Sequence, residues 1–189
     1  MTDRADDLAL VERYVGGDLA AFDDLVRAHE QRVFAICLRM LRDRDDALDA
    51  TQDTFVTLFR KADRYRAEAA FSTWLYRVTV NVCYDHLRRQ KRRRSDPLPE
   101  GNDPEDPQSQ DAYGAAEVRP TIEAALTEIP AEFRAAVVLV DLEGLSLETV
   151  ATTLGVPVGT VKSRVFRGRR LLAELLGNLK PSSQHPSDE

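Results

Sequence analysis

Apolar residues in the first half of the chain recur every three or four positions and nowhere alternate with polar ones, which predicts helices and no strands. Leu8, Val11 and Val15 predict a first helix that the Gly16-Gly17 pair stops. Asp18 is placed to cap a second, in which Phe22, Leu25, Val26, His29, Val33, Ile36, Cys37, Met40 and Leu41 keep helical spacing. Asp43 or Asp45 can cap a third, running through Ala47, Phe55, Leu58 and Phe59 to about Ala62. An irregular stretch, 63–70, then leads to Ser72 or Thr73 as a capping residue and a long helix from Trp74 into the basic run Arg88 to Arg94. The fold class is all-α.

Near the other end, Leu147, Val150, Ala151 and Leu154 share one helical face, Gly155-Val156-Pro157 breaks the period, and a second helix starts near Val158. Two short helices meeting at a tight, glycine-containing turn make a helix-turn-helix. A turn of 3.6 residues puts Val161, Val165, Gly168 and Leu172 on one side of the second helix. Ser163, Phe166, Arg167 and Arg170 fall opposite, with Lys162, Arg164 and Arg169 on the flanks. No acid occurs between Glu148 and Glu174, so five cations are free to meet phosphates or base edges. An outward Phe166 suits contact with thymine methyl groups in a major groove.

The formal net charge of −6 conflicts with DNA binding only until the charges are located. Seven acids and no base lie in Ser95 to Val118, among Pro97, Pro99, Pro104 and Pro107, a composition that predicts a flexible linker. The expected organisation is therefore a helical domain over 1–94, a Pro- and acid-rich linker over 95–117, a helix-turn-helix domain over 118–178 and a disordered tail over 179–189. No apolar run approaches the roughly 20 residues of a membrane span, and the polar start lacks a signal-peptide profile, so a cytoplasmic protein is expected. Cys37 and Cys83 sit in apolar helical patterns and are expected to be buried free thiols; a redox pair follows only if the fold brings them together. His29, His86 and His185 form no cluster, so neither a metal, a cofactor nor a catalytic base is expected. The acids Asp43, Asp45, Asp46, Asp49 and Asp53 lack the glycine of a calcium loop and the Glu-x-x-His pairs of a di-iron bundle.

Between the two domains' signals lies a third. Tyr65, Phe71, Trp74, Tyr76 and Tyr84 interleave with Arg64, Arg66, Arg77, Arg88 and Arg89, and aromatic faces beside cations suit unpaired bases on a single strand. The same spacing also suits plain core packing of Trp74 and Tyr84.

Asp49-Ala50-Thr51-Gln52-Asp53-Thr54-Phe55, Phe71-Ser72-Thr73-Trp74-Leu75-Tyr76-Arg77 with Asn81, and Pro157-Val158-Gly159-Thr160-Val161-Lys162-Ser163-Arg164 together resemble the bacterial sigma factors of RNA polymerase. Within them the likeness is to the short extracytoplasmic-function type of the sigma-70 family, and it covers nearly the whole chain. The resemblance implies a non-enzymatic promoter-specificity subunit. It implies that Asp49, Gln52, Asp53 and Phe55 bind the clamp helices of the polymerase largest subunit. It gives Tyr65, Phe71, Trp74, Arg77, Asn81 and Arg88 to the opened strand of the minus-ten element. Thr160, Lys162, Ser163, Arg164, Phe166, Arg167, Arg169 and Arg170 fall to the minus-thirty-five duplex, Arg164, Arg169 and Arg170 as phosphate clamps. It also implies an anti-sigma factor as a partner. Three positions depart from the family pattern: Asp53 where Glu is frequent, a 66–70 loop without glycine, and Gly168 where Ala is usual. The competing reading is a stand-alone helix-turn-helix regulator with a ligand-sensing or dimerising first domain.

Overall fold

The structure is a computed structural model that describes residues 4–62, 65, 69–95 and 119–177. All of its regular elements are helical: α1 (Arg4–Val15), α2 (Leu19–Leu41), α3 (Arg44–Lys61), α4 (Phe71–Ser95), α5 (Arg119–Glu128), α6 (Ala131–Val137) continuing into a π-helical turn (Val138–Leu142), α7 (Leu147–Leu154) and α8 (Val158–Gly177). The expected linker at 95–117 falls, beyond Ser95, outside the described residues, as does the expected tail at 179–189.

The first three helices take their boundaries from local chemistry. Gly17 adopts φ 101° where α1 stops, and Asp18 accepts from the Ala20 amide to open α2. Of the two capping candidates for α3 it is Asp43 that serves, accepting from the Asp46 amide at 2.8 Å. Apolar stripes from α2, α3 and α4 close one core, with Val33, Ile36, Met40, Ala47, Ala50, Leu58, Leu75 and Val80 all buried. Thr54 and Thr79 are buried among them and return their hydroxyls to the Ala50 and Leu75 carbonyls, so no polar atom is stranded there.

One boundary differs from expectation. The long helix begins at Phe71, not Trp74, and Ser72 and Thr73 lie inside its first turn. The cap is the Ala70 carbonyl, which accepts from the Thr73 and Trp74 amides. Burying the Phe71 ring, 4% exposed, against His29, Tyr65 and Trp74 winds those residues into the helix and overrides the side-chain capping signal.

In the second set, Ser146 caps α7 by accepting from the Thr149 amide, and Gly155 ends it at φ 66°, ψ 35°. Helix α8 returns across α6, burying Val161, Val165 and Gly168. Gly168 has a steric reason: a Cβ there would lie 2.6 Å from Val137 Cγ2 and 3.3 Å from the Phe133 carbonyl oxygen. The residue that looks unfavourable in a helix is what lets α8 lie this close to α6.

The two sets pack on each other along a seam that the sequence pattern does not signal. Arg134 of α6, 6% exposed, sends its guanidinium to the Met40 carbonyl at the end of α2 and to the Thr127 and Ile129 carbonyls of its own half. The Glu143 carboxylate, only 7% exposed, takes Arg32 at 2.7 Å and Arg39 at 2.5 Å, both from α2. No described helix is long and apolar enough to cross a membrane.

Candidate nucleic-acid interface

Three surfaces carry the residues that the sequence singles out. On α8 the helical wheel is realised: Val161, Val165 and Gly168 face inward and Leu172 is half-buried, while Lys162, Ser163, Phe166, Arg167, Arg169 and Arg170 are exposed. Phe166 leaves 69% of its surface to solvent, which makes its ring available to a thymine methyl group in a major groove. The Ser163 hydroxyl donates to the Thr160 carbonyl at 2.9 Å, which leaves its lone pairs directed outward as an acceptor. The flanking cations divide. Arg169 is held bidentately by Asp141 from the π-helical turn, at 3.0 and 2.5 Å, and that carboxylate raises the guanidinium pKa further. Arg170 pairs with Glu174 one turn on, at 3.1 Å. Arg164 is half-buried and turns toward α4 rather than outward.

The α4 face presents Arg77, Asn81 and Arg88, all exposed and aligned by spacings of four and seven. Arg77 is engaged in this arrangement, its Nη2 donating to the Thr152 carbonyl of α7 at 2.5 Å. Arg88 pairs with Asp85 at 2.9 Å. Beside this face a cleft of about 430 Å³ opens between α4 and the second set of helices, with Asn81, Tyr84, Arg88 and Lys91 on one wall and Glu132 of α6 and Arg164 of α8 on the other. Burial pushes the Tyr84 phenol up, with the Arg164 charge opposing it. The aromatics at the start of α4 form a cluster: Tyr65 stands 5.5 Å from Trp74 and 5.7 Å from Phe71, and Phe71 5.9 Å from Trp74, centroid to centroid. Phe71 is the buried floor of this cluster, whereas Tyr65 and Trp74 keep part of their faces at the surface.

On α3, Asp49 and Gln52 are exposed, and Phe55 is half-buried. Asp53, although half exposed, faces back to α4, with His86 Nε2 at 3.0 Å and Arg89 at 4.0 Å. Sequence reading missed the apolar part of this surface. Leu48, Val56 and Phe59 are 48%, 39% and 49% exposed, and with Gln52 they make a stripe bordered by the two aspartates. Their signal was present in the spacing, but an apolar residue on a helix reads first as core. Phe59 is braced from below by Tyr14 and Phe22, at 5.5 and 5.3 Å between ring centroids.

Known proteins resemble this chain in both halves. The Sigma-70 region 2 family matches residues 25–93 and the Sigma-70, region 4 family matches residues 120–172. The ECF RNA polymerase sigma factor SigE of Mycolicibacterium smegmatis is 44% identical over 166 residues, spanning 85% of this chain and 64% of that protein. SigM of Mycobacterium tuberculosis is 41% identical over 179 residues, 92% of this chain and 86% of its own length. The RNA polymerase sigma-H factor of Pseudomonas aeruginosa is 34% identical over 93% of this chain and 96% of its own. Among solved structures, the sigma factor RpoE of Bartonella quintana, in complex with the anti-sigma factor NepR, superposes with a TM-score of 0.66 at 27% identity over 84% of this chain and 98% of its own. CnrH, in complex with the cytosolic domain of CnrY, shares the fold at a TM-score of 0.71 and 23% identity, over 93% of this chain and 99% of its own.

Proposed function

The chain belongs to the extracytoplasmic-function sigma factors of the sigma-70 family, non-enzymatic subunits that direct RNA polymerase to a subset of promoters, and on that premise we propose how its residues divide the work. The observation that carries the assignment is α8, whose outer face of Lys162, Ser163, Phe166 and Arg167, with no acid of its own helix before Glu174, stands opposite the buried Val161, Val165 and Gly168. In a major groove, Lys162, Ser163, Phe166 and Arg167 read base edges of the minus-thirty-five element, with Thr160 beside them at the helix start. Arg164, Arg169 and Arg170 hold the flanking phosphates, Arg164 by swinging out of the cleft beside α4, Arg169 by exchanging Asp141 for DNA and Arg170 by exchanging Glu174.

The first four helices serve core polymerase and the opened strand. Trp74 and Tyr65 offer stacking surface, Phe71 supports them from below, and Arg77, Asn81 and Arg88 follow the minus-ten strand along α4. Asp49, Gln52, Asp53 and Phe55 meet the clamp helices of the polymerase largest subunit, and the exposed Leu48, Val56 and Phe59 supply the apolar centre of that contact. An anti-sigma factor is the proposed regulatory partner, by likeness to the NepR-bound relative, and the cytoplasm is the proposed location.

Run-off transcription with core polymerase on a promoter library, with and without the protein, tests this. Promoter-selective initiation that appears only on addition, and is lost in an Asp49/Gln52/Asp53 triple alanine variant, is the expected result. Promoter-selective initiation that survives undiminished in the triple alanine variant would remove those three residues from the polymerase contact.

A further inference from the structure

Cys37 and Cys83, forty-six positions apart, meet in the core of the first four helices. Both are fully buried free thiols, and the Cys83 thiol donates to Cys37 Sγ across 3.8 Å, linking α2 to α4. The two sulfurs are not equivalent. Donation from Cys83 lowers the Cys37 pKa against the opposing effect of burial. Cys83 is pushed well up, first by its contact with Cys37 and then by burial. Within the pair Cys83 is the donor and Cys37 the acceptor, and no other cysteine lies in the chain to compete with either. The site also lies under the seam: Cys37 is one turn before Met40, whose carbonyl takes Arg134.

We propose that Cys37 and Cys83 are a modification site, forming a reversible intramolecular disulfide when the protein meets hydrogen peroxide. In the first step the Cys37 thiolate attacks one peroxide oxygen, the O–O bond breaks, and the departing hydroxide takes a proton to leave as water, giving a Cys37 sulfenic acid. In the second, Cys83 sulfur attacks the Cys37 sulfur, the S–O bond breaks, and the departing hydroxide takes the Cys83 proton as a second water. Two thiols lose two electrons and two protons; the peroxide gains them and becomes two waters. The sulfurs must close from 3.8 Å to about 2.0 Å for the bond to form. Complete burial selects the oxidant, because a small neutral peroxide can enter a packed core on its fluctuations and a bulky disulfide such as oxidised glutathione cannot.

The experiment treats the reduced full chain with a few equivalents of hydrogen peroxide, or separately with oxidised glutathione, then denatures, alkylates and weighs it. With peroxide, both thiols should become unreactive to alkylation together, the mass should fall by two hydrogens, the protein should stay monomeric on a non-reducing gel, and dithiothreitol should restore it. Oxidised glutathione should leave both thiols free. In Cys83→Ser a dimedone-reactive sulfenic acid should accumulate on Cys37, and neither Cys83→Ser nor Cys37→Ser should lose two hydrogens or form an intramolecular disulfide. Persistence of two free thiols under peroxide that oxidises the unfolded chain, a disulfide-linked dimer, or a glutathione adduct would each overturn the proposal, and the wild-type measurements need no variant to fold.

Discussion

Gly168 of α8 stands so close to Val137 of α6 that a methyl group on it would lie 2.6 Å from the valine Cγ2. Two effects of opposite sign follow for Gly168→Ala. Alanine gains about 1 kcal/mol of helix propensity over glycine. Overpacking against a buried, β-branched neighbour costs roughly 1–3 kcal/mol, because a valine methyl on a helix cannot swing away. The steric term wins, and the variant should melt several degrees below the parent; a higher melting temperature would mean that α6 and α8 separate freely.

Arg167 and Arg169 should behave differently on DNA. Arg167→Ala should cost about 1–3 kcal/mol on the preferred minus-thirty-five sequence and relax selectivity at one base pair, measured by holoenzyme binding to a substitution series. Asp141→Ala, which frees Arg169 from its bidentate partner, should instead tighten binding to all duplexes alike, by no more than about fivefold, since an exposed pair of this kind is worth roughly 1 kcal/mol or less. A gain confined to one sequence would place Arg169 at a base edge.

The apolar stripe of α3 separates binding from folding. Val56→Asp changes an exposed residue, so the melting temperature should move by little, while affinity for core polymerase should drop at least tenfold, about 1.4 kcal/mol, if the stripe is the centre of that contact. Unchanged competition against another sigma factor for core would leave the acids alone as the contact.

Glu143→Ala removes the carboxylate that holds Arg32 and Arg39. Both arginines are about one-third exposed, so the loss should be near 1–2 kcal/mol, below that of a fully buried pair. The expected signature is a larger radius of gyration in solution scattering with the helical content unchanged, because the seam opens while each half stays folded. Arg134→Ala should be more damaging to the melting temperature, since it leaves the Met40, Thr127 and Ile129 carbonyls without their donor.

What the sequence disclosed was local. The helix-turn-helix, its inward Val161 and Val165, the stop at Gly155 and the caps at Asp18 and Asp43 all depend on residues within a turn or two of each other, and each stands where the periodicity and cap chemistry predicted. The misplaced start of α4 arose from a contact at long range, Phe71 against His29, which no local capping rule contains. The need for glycine at 168 depends on Val137, and the engagement of Arg77 depends on Thr152; neither partner leaves a periodic trace. The proximity of Cys37 and Cys83 was likewise open until α2 and α4 were packed.

Glu143 lies 111 residues after Arg32 and 104 after Arg39. A chain leaving the ribosome from its N-terminus exposes both arginines long before the carboxylate that joins them is made. The first four helices are therefore synthesised with that edge of α2 still in water, and the newborn half-protein already carries all of α3 and α4, with α7 not yet laid across Arg77. The order of synthesis makes the second half the last piece to arrive, closing over a partner that is already built.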